Sequence, residues 1–265
     1  MTVSLLISTY NRPDALFLVL ESVRKQSVQP NEIIISDDGS KSDTKIVIDN
    51  FKSKNDTIIK HVWHEDKGFR LSEIRNKAIA SAKFDYIIQI DGDIILHEKY
   101  IENHLRFAKK NSFISGSRVL LSDITTQRAI HKKIINFNPF TKNIKNRFNA
   151  IYLPFINLFT KSKNSPIEKL IFKVRGCNMS FWRQDLLDVN GYDEQFQSWG
   201  REDSELALRL LKKGISLKRL KFAAIQYHLF HVEQDKNDLE LNNKILSKNK
   251  ETEDFWTEDG IVKNK

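Results

Sequence analysis

The sequence predicts an α/β fold with a Rossmann-like, mostly parallel sheet that has helices on both faces. Short apolar runs alternate with amphipathic helical patterns through the first hundred residues, and strands that are apolar throughout belong to sheets covered on both sides. Apolar residues form 40% of the 265-residue chain, enough for a sizeable core. Acidic and other polar residues follow several predicted strands, and α/β sheets bind their ligands beyond these carboxyl ends.

Seven elements are predicted in the first ninety residues. In order, they are strand 3–9, a helix opened by Pro13, strand 32–36, a helix to about Phe51, strand 58–63, helix 71–83 and strand 85–90. Proline suits the first turn of a helix because its missing N–H would be unpaired there. The inward positions of helix 71–83 are three and four residues apart, as on one helix face.

The alternation of strands and helices weakens over 128–165, where Pro139, Pro154 and the following Pro166 break any long helix. This composition predicts a basic, aromatic-containing insertion. Regular structure returns near Ile171.

A helix is predicted at 202–213, with Gly214 as its stop. Strand-like residues follow at 215–231. We therefore expect one domain over 1–231 and a polar, helical tail over 232–265. The domain divides into three segments, namely 1–120, the insertion 121–170, and 171–231.

The net charge of +9 is concentrated in one segment. Ten Lys and Arg residues lie between Arg128 and Lys173, against a single acid, Glu168. Aromatic, Ile and Leu residues are mixed with these cations, which suits an anionic membrane surface and also nucleic acid. We favour peripheral membrane contact through 128–173 and expect no nucleic-acid partner, because nucleic-acid binding would not explain the acidic strand ends. A solvated insertion without a partner is the plain alternative.

Cysteine content and the first residues of the chain indicate a cytoplasmic protein. Cys177 is the only cysteine, so no internal disulfide can form, and we interpret it as a small buried side chain. The N-terminal residues lack the basic region of a signal peptide. No apolar run reaches the roughly 18–20 residues of a transmembrane helix. We expect a cytoplasmic location, with peripheral attachment to the inner face of the membrane.

Asp91-Gly92-Asp93 follows the predicted strand 85–90 and could hold a divalent cation. Two carboxylates separated by a flexible glycine can face one ion, and hard oxygen ligands suit Mn²⁺ or Mg²⁺. An ordinary polar turn after a strand has the same composition. His228 and His231 could complete such a site. At a spacing of three, however, they would face opposite sides of a strand unless the chain turns between them.

Two further segments at strand ends are candidates for binding a nucleotide. Asp38, in the turn Asp37-Asp38-Gly39-Ser40, could bind a ribose or a base edge, although Asp and Gly also form turns without ligands. Lys67, Arg70 and Arg75 lie close to a helix start and could neutralise a diphosphate. A solvated helix start is the alternative.

Glu202 and Asp203 lie in the first turn of the predicted helix 202–213. The helix dipole stabilises acids there whether or not they take part in chemistry. It also keeps a carboxylate ionised, as a general base requires. Trp199, beside Gly200, could offer an open ring face to a sugar, and a buried core tryptophan is the plain alternative.

In this order, the motifs resemble those of an inverting glycosyltransferase of family 2 with the GT-A fold. The resemblance covers roughly 1–120 and 170–231. In the N-terminal region, the resemblance rests on the opening strand to Arg12, the Asp37-Asp38-Gly39-Ser40 turn, the Arg75-Asn76 helix and Asp91-Gly92-Asp93. The later region is similar to the one shared by β-1,4-galactosyltransferases and bacterial chondroitin-type polymerases. This similarity rests on Gly176-Cys177-Asn178-Met179-Ser180, Gly191-Tyr192-Asp193-Glu194, Trp199-Gly200-Arg201-Glu202-Asp203 and His231.

The resemblance implies a donor site and a metal site. Asp93 and His231 would ligate Mn²⁺ or Mg²⁺, and His228 lies where the relatives place a further, more variable ligand. The nucleotide-sugar donor would contact residues of the N-terminal segment, 1–120, and one residue beyond it: Thr9, Asn11, Arg12, Asp38, Asp66, Lys67, Arg75, Asp91 and Asn178.

The resemblance also implies an acceptor site over 171–231. Asp203 matches the catalytic base, and Glu202 matches the neighbouring acid that holds the acceptor. Trp199 matches the ring under the acceptor sugar, with Gly200 and Arg201 beside it. Arg201 departs from the galactosyltransferases, which have a second glycine there. Such a bulky cation would alter the acceptor pocket or favour an anionic acceptor, so the identity of the acceptor does not carry over from these relatives.

The implied reaction is a single inverting displacement. A hexose or N-acetylhexosamine would pass from a UDP-sugar to a hydroxyl of a glycan or lipid-linked oligosaccharide, forming a β-glycosidic bond in surface polysaccharide or lipopolysaccharide synthesis. A sugar nucleotidyltransferase is an alternative, but it would carry a Gly-rich loop where this chain has Tyr10-Asn11-Arg12-Pro13. A non-catalytic carbohydrate-binding protein is another, but it would not need both Asp93 and Asp203.

Overall fold

A computed structural model describes residues 1–159, 166–232 and 238–263. Eleven strands are formed by these residues. In chain order they are β1 (Val3–Thr9), β2 (Glu32–Asp37), β3 (Ile58–Trp63), β4 (Tyr86–Asp91), β5 (Ile94–Leu96), β6 (Ser112–Ser115), β7 (Val119–Leu121), β8 (Ile144–Lys145), β9 (Met179–Trp182), β10 (Ser216–Arg219) and β11 (Gln226–His228).

Ten α-helices lie between and after these strands in the described regions of the chain. They are α1 (Pro13–Arg24), α2 (Ser42–Lys52), α3 (Leu71–Ser81), α4 (Tyr100–Phe107), α5 (Asp123–Lys132), α6 (Ile156–Phe159), α7 (Ile167–Leu170), α8 (Arg183–Asp188), α9 (Glu202–Lys212) and α10 (Leu239–Glu251). Short 3₁₀ turns cover Arg147–Ala150 and Ile171–Lys173.

The central sheet has seven strands in the order β10-β6-β9-β4-β1-β2-β3. All of its neighbours pair in parallel except β9, which is antiparallel to both β4 and β6. Successive side chains of β1 enter opposite cores: Leu5 and Ile7 pack on one face of the sheet, and Leu6 packs on the other. The predicted α/β class, with helices covering a mainly parallel sheet, is confirmed.

A second, four-stranded sheet of order β5-β11-β7-β8 was not predicted. The strand-like residues 215–231 do not form one strand but two, β10 in the central sheet and β11 in the second. Between them the backbone turns at Phe222 and Ala224, which have φ values of 56° and 46°. The insertion contributes β8 to the edge of this sheet. Lys161, Lys163 and Glu233, which belong to the predicted insertion and tail, lie outside the described residues.

The ends of the central strands are aligned by their pairing register. Thr9 of β1 pairs with Asp37 of β2, and Ser8 pairs with Asp91 of β4. The N–H of Gly92 then donates to the carbonyl of Ser8 across 2.6 Å. The carboxyl ends of β1, β2 and β4 therefore share one edge, as the sequence predicted.

Within residues 1–159, 166–232 and 238–263, every helix is too short or too polar to span a membrane.

Candidate active site

A cavity of about 940 Å³ opens at this sheet edge, where the two sheets meet the start of α9. It is lined by residues from distant regions of the chain that the sequence had marked separately. The predicted site residues around it are Thr9, Asn11, Arg12, Asp38, Arg75, Asp91, Asp93, Trp199, Gly200, Arg201, Glu202, Asp203, His228 and His231.

Asp66, Lys67 and Asn178 do not line the cavity. Asp66 accepts a hydrogen bond from the hydroxyl of Tyr10, which does line it. Lys67 is exposed and pairs with Glu65 across 3.1 Å.

Asn178 is fully buried beside the cavity floor. Its Oδ1 accepts from the hydroxyl of Tyr100, and its Nδ2 donates to the carbonyls of Ser117 and Ala224. Because its polar atoms form hydrogen bonds within the protein, the Asn178 side chain connects the segments that contain Tyr100, Ser117 and Ala224.

The end of β1 and the following turn are fixed by short contacts. Asn11 has a left-handed backbone, with φ of 48°, and its N–H donates to Oγ of Ser40 across 2.8 Å. Arg12 points towards the second sheet and pairs with Asp93 at 3.1 Å. This turn therefore connects the ends of β1 and β2 to the acidic residues after β4.

Asp38 is buried with both carboxylate oxygens in hydrogen bonds. Oδ1 lies 2.6 Å from Nε2 of His64, and Oδ2 accepts from the N–H of Arg70 across 3.0 Å. Burial raises the pKa of Asp38, while His64 and Arg70 oppose that rise. These contacts fix the carboxylate at the rim of the cavity beside the start of α3.

Asp93, His228 and His231 form a cluster in the cavity. Nε2 of His228 lies 3.6 Å from Oδ1 of Asp93, and Nε2 of His231 lies 3.5 Å from Oδ2. One ligand atom from each residue lies within 4.8 Å of the others. Oδ1 of Asp93 is buried and has no hydrogen-bond partner among the described residues, which is costly for a carboxylate. One carboxylate and two imidazoles are a donor set that fits a Mn²⁺-like cation.

The two histidines reach the same carboxylate because the chain leaves the strand between them. β11 ends at His228, and the next residue, Leu229, donates its N–H to the carbonyl of Asp93 across 3.0 Å. The imidazole centres consequently lie only 5.1 Å apart. Burial lowers the pKa of His228, which favours the neutral ring that binds metals.

Arg75 is the buried link between the two acidic motifs. Its side chain is 2% exposed. Nη2 donates to Oδ1 of Asp91 across 3.1 Å, Nη1 donates to Oδ1 of Asp203 across 3.0 Å, and Glu202 lies 3.9 Å away. Burial lowers the pKa of Arg75, but Tyr192 and the carboxylates together raise it by more, so the guanidinium stays charged.

Burial affects the carboxylates around Arg75 in the opposite direction. It raises the pKa of Asp91 to about 6, although Arg75 opposes the rise. Burial and then the charge of Asp203 also raise the pKa of Glu202, so the protonated form of Glu202 is favoured. Oε2 of Glu202 is buried without a hydrogen-bond partner in the described regions of the chain.

Asp203 is held by neighbours on two sides. Its Oδ1 accepts from Arg75 and, across 3.3 Å, from the hydroxyl of Tyr192. On the other side it lies against Gly176, where an added Cβ would be only 2.0 Å from Oδ2. Only glycine fits at position 176 with the carboxylate in this place.

Residues 198–201 form the loop before α9. Trp199 is 40% exposed on it. Nδ2 of the buried Asn242, on α10, donates to the carbonyls of Ser198 and Gly200 at 3.2 and 2.8 Å. Nε of Arg201 donates to Oδ1 of Asn243 across 2.7 Å. The C-terminal helix thus holds the backbone of this loop.

Sequence reasoning missed Arg118, Arg175, Tyr192 and Asn242. Arg118 and Arg175 line the cavity. Arg118 belongs to no recognisable motif, and Arg175 directly precedes the motif Gly176-Cys177-Asn178-Met179-Ser180 but had no assigned role. Tyr192 lay within a quoted motif without an assigned role. A sequence signal for Tyr192 did exist in Gln89, because it is the one amide in an otherwise apolar strand. In the structure, Gln89 donates to the hydroxyl of Tyr192 and to the carbonyl of Gly176.

The mainly parallel sheet, with acidic strand ends and a carboxylate–imidazole cluster at one edge, matches the GT-A fold expected from the motifs. Comparison with protein-family models agrees. The chain belongs to glycosyl transferase family 2, whose model matches residues 4–170. Residues 159–232 match the model described as the N-terminal domain of galactosyltransferase. The resemblance seen in the motifs is therefore confirmed.

Among curated proteins, the chain is 27% identical over 226 residues to chondroitin synthase of Pasteurella multocida, covering 80% of this chain and 23% of that protein. The chain therefore spans about a quarter of this relative. Among solved structures, S. aureus TarS 1-349 in complex with UDP has a TM-score of 0.64 at 15% identity, over 94% of this chain and 65% of that one. Mannosyltransferase PcManGT from Pyrobaculum calidifontis, in complex with GDP-Man and Mn²⁺, has a TM-score of 0.59 at 15% identity, over 86% and 56%.

Proposed function

We propose that this protein is an inverting, metal-dependent glycosyltransferase. It moves a hexose or N-acetylhexosamine from a UDP-sugar to a hydroxyl of a glycan or lipid-linked oligosaccharide, for the synthesis of surface polysaccharide or lipopolysaccharide. The observation that carries the proposal is the single cavity in which Arg75 joins the carboxylates of Asp91 and Asp203, with the Asp93 cluster on its wall. The sugar donor and the acceptor would therefore bind in the same cavity.

The donor would lie along the ends of β1, β2 and β4. Family membership supports this placement, and so does the UDP bound by the structural neighbour TarS. Asp38 would contact the nucleoside, and the neighbouring turn with Thr9, Asn11 and Arg12 would lie near the diphosphate. Asp91 would bind the ribose or the metal shell. Asp66 and Lys67 would act only at the edge of the site, and Asn178 would support it from below.

Asp93, His231 and His228 would hold a divalent cation, Mn²⁺ or Mg²⁺. A cation bound there supplies positive charge that stabilises the departing diphosphate. The buried Oδ1 of Asp93, which has no hydrogen-bond partner among the described residues, supports this assignment, and so does the Mn²⁺ named with the mannosyltransferase neighbour. Arg12, which contacts the same carboxylate, would position it and help to balance its charge.

Asp203 would act as the general base. It would take the proton from an acceptor hydroxyl, whose oxygen attacks the anomeric carbon from the face opposite UDP. One displacement of this kind inverts the anomeric centre, so an α-linked donor gives a β-glycoside. Arg75 and Tyr192 fix the carboxylate in place. Glu202, in its protonated form, would hold the acceptor by donating a hydrogen bond.

Residues 198–201, which we call the acceptor loop, would form the platform for the receiving sugar. The exposed ring of Trp199 suits stacking on a sugar face. Gly200 keeps the approach open, and the charge of Arg201 suits an anionic acceptor. The chondroitin synthase relative supports a polysaccharide acceptor, although this chain matches only a portion of that protein.

A panel of UDP-sugars tests the proposal. The full chain with Mn²⁺ should release UDP from one donor, faster when a saccharide acceptor is added. The true donor should also raise the melting temperature most, because ligand stabilisation grows with the logarithm of concentration over Kd. Release of pyrophosphate from UTP and a sugar phosphate would instead indicate a nucleotidyltransferase. Binding of saccharide without any turnover would indicate a non-catalytic carbohydrate-binding protein.

A further inference from the structure

A run of the chain outside the cavity carries cations and no acid. No Asp or Glu occurs over 124–167. Six cationic side chains of its described residues are exposed, and none of them forms an ion pair with another described residue. These are Arg128, Lys132, Lys133, Lys142, Lys145 and Arg147.

The same run exposes large apolar side chains. Six of the twenty exposed large apolar side chains in the described residues fall within 140–159. Their exposed fractions are Phe140 86%, Phe148 76%, Leu153 38%, Phe155 53%, Leu158 62% and Phe159 81%. These side chains are grouped along the chain, and exposed apolar patches that are contiguous mark interaction sites. We call residues 128–159 the basic aromatic surface.

The backbone beneath the basic aromatic surface is anchored to the body of the protein. The N–H of Leu153 donates to the carbonyl of Phe222 across 2.8 Å. Buried Asn157 accepts from the N–H of Lys221 and donates to its carbonyl. The hydroxyl of Tyr227 donates to the carbonyl of Phe137. The described part of the surface is therefore held by the folded structure at several points.

We propose that the basic aromatic surface docks the protein onto an anionic lipid bilayer. Cations next to a membrane are attracted by acidic headgroups, while apolar side chains enter the boundary with the acyl chains. Phe155 lies in the turn just before α6 and Phe159 is the last residue of α6, and both side chains are exposed. Nucleic acid or an anionic glycan would account for the charge, but neither would bury Leu153 and Leu158.

Docking here would place the cavity close to the lipid surface. The Nδ2 of Asn149, inside the basic aromatic surface, donates to the carbonyl of Arg118, whose residue lines the cavity. β7 follows directly and pairs with β11, which carries His228. The proposal itself does not depend on the proposed reaction, because lipid binding can be measured without turnover.

Co-sedimentation of the full chain with vesicles tests the proposal. Vesicles of phosphatidylcholine with 30% phosphatidylglycerol, roughly a bacterial-like anionic content, should bind the protein, and pure phosphatidylcholine should bind it far less. Binding should weaken as salt is raised. The triple variant Lys142→Gln, Lys145→Gln and Arg147→Gln should partition on the order of a hundredfold more weakly. Phe155→Ser with Phe159→Ser should also lose roughly tenfold or more.

Ile46→Ser and Lys25→Gln provide matched controls, since both residues are exposed elsewhere on the protein. They should bind vesicles like the unmodified chain, and unchanged melting temperatures should show that all variants are folded. Equal sedimentation with both vesicle types, or undiminished binding by the charge and phenylalanine variants, would overturn the proposal. So would a single-stranded oligonucleotide that binds the chain in a variant-sensitive manner while the vesicles do not.

Discussion

Nη1 of Arg75 donates a hydrogen bond to Oδ1 of Asp203 across 3.0 Å. The same guanidinium bonds Asp91, so one buried cation compensates carboxylates from two motifs that are more than a hundred residues apart. Arg75→Met should therefore leave two partly buried carboxylates without their cation and lower the free energy of unfolding, by less than the roughly 3–5 kcal/mol lost from a fully buried pair, because the side chains of Asp91 and Asp203 are 34% and 21% exposed. Urea denaturation of the purified variant would measure the loss.

Arg24→Met is the matched control for Arg75→Met, because Arg24 forms an exposed pair with Glu21. Such surface pairs are worth about 1 kcal/mol or less. A similarly small loss of unfolding free energy in both variants would show that Arg75 does not stabilise the fold by neutralising the carboxylates of the site.

Asp203→Asn should remove transfer while leaving donor binding almost unchanged. The amide keeps the size of the carboxylate but cannot accept a proton from the acceptor, and loss of a general base typically costs about 10²- to 10⁴-fold in rate. Initial rates of UDP release, together with calorimetric titration of UDP, would separate the two effects. Asp43→Asn, on the exposed first turn of α2, should keep full activity. Near-normal turnover by Asp203→Asn would rule out the proposed base.

Chelation of the divalent cation should abolish transferase activity reversibly. We expect EDTA to stop transfer and added Mn²⁺ to restore it. His231→Ala should weaken Mn²⁺ binding in a direct titration, because one of three ligands is lost. His131→Ala changes an exposed histidine outside the cluster and should have no effect. Full activity in metal-free buffer, or unaltered Mn²⁺ affinity in the His231 variant, would contradict the metal assignment.

Asp193 should make stability depend on pH between about 4 and 6. Burial raises the pKa of Asp193 to about 6 in the folded protein, from an ordinary value of 3.8. The native state therefore holds this proton longer than the unfolded chain does, and stability is lost as pH rises through that window. Asp193→Asn should consequently gain about 2–3 kcal/mol relative to the original chain at pH 7 but little at pH 4.

Urea unfolding at pH 4 and pH 7 would test the Asp193 prediction. The asparagine can still accept the N–H of Gln195, which now bonds Oδ1 of Asp193. Asp43→Asn serves again as the exposed control. An equal effect of Asp193→Asn at both pH values would show that this carboxyl titrates normally.

Asn242→Ala should release the acceptor loop without touching the donor site. Its amide holds the carbonyls of Ser198 and Gly200, so its loss should raise KM for the acceptor several-fold more than it changes KM for the donor. Steady-state kinetics with each substrate varied in turn would measure the split. Ser247→Ala, exposed on the same helix, is the control. Equal effects on both KM values would indicate a general loss of structure instead.

The first ninety residues were predictable because their strands are long enough to show an apolar pattern. β1 to β4 have six or seven residues each, and Pro13 does begin α1. The second sheet was missed because β5, β7, β8 and β11 have only two or three residues, too few for any periodicity.

The members of the site were easier to predict than their contacts. Acidic residues at strand ends were visible, because strand ends concentrate ligand-binding groups. The meeting of His228 and His231 was not, since it depends on a turn just after β11 that the alternating pattern of a strand cannot reveal. Nor does any sequence pattern show that the side chain of Asn178 is fully engaged by its neighbours.

The contact between Gly176 and Asp203 limits how this chain can change over generations. Any side chain at position 176 would collide with the carboxylate, and shortening residue 203 to make room would delete the carboxylate itself. Moving the carboxylate aside instead would break its hydrogen bonds with Arg75 and Tyr192. In a library randomised at position 176 and selected for activity, almost every active variant should carry glycine. The absence of a side chain at position 176 therefore restricts the sequence as strongly as the need for a carboxylate at position 203.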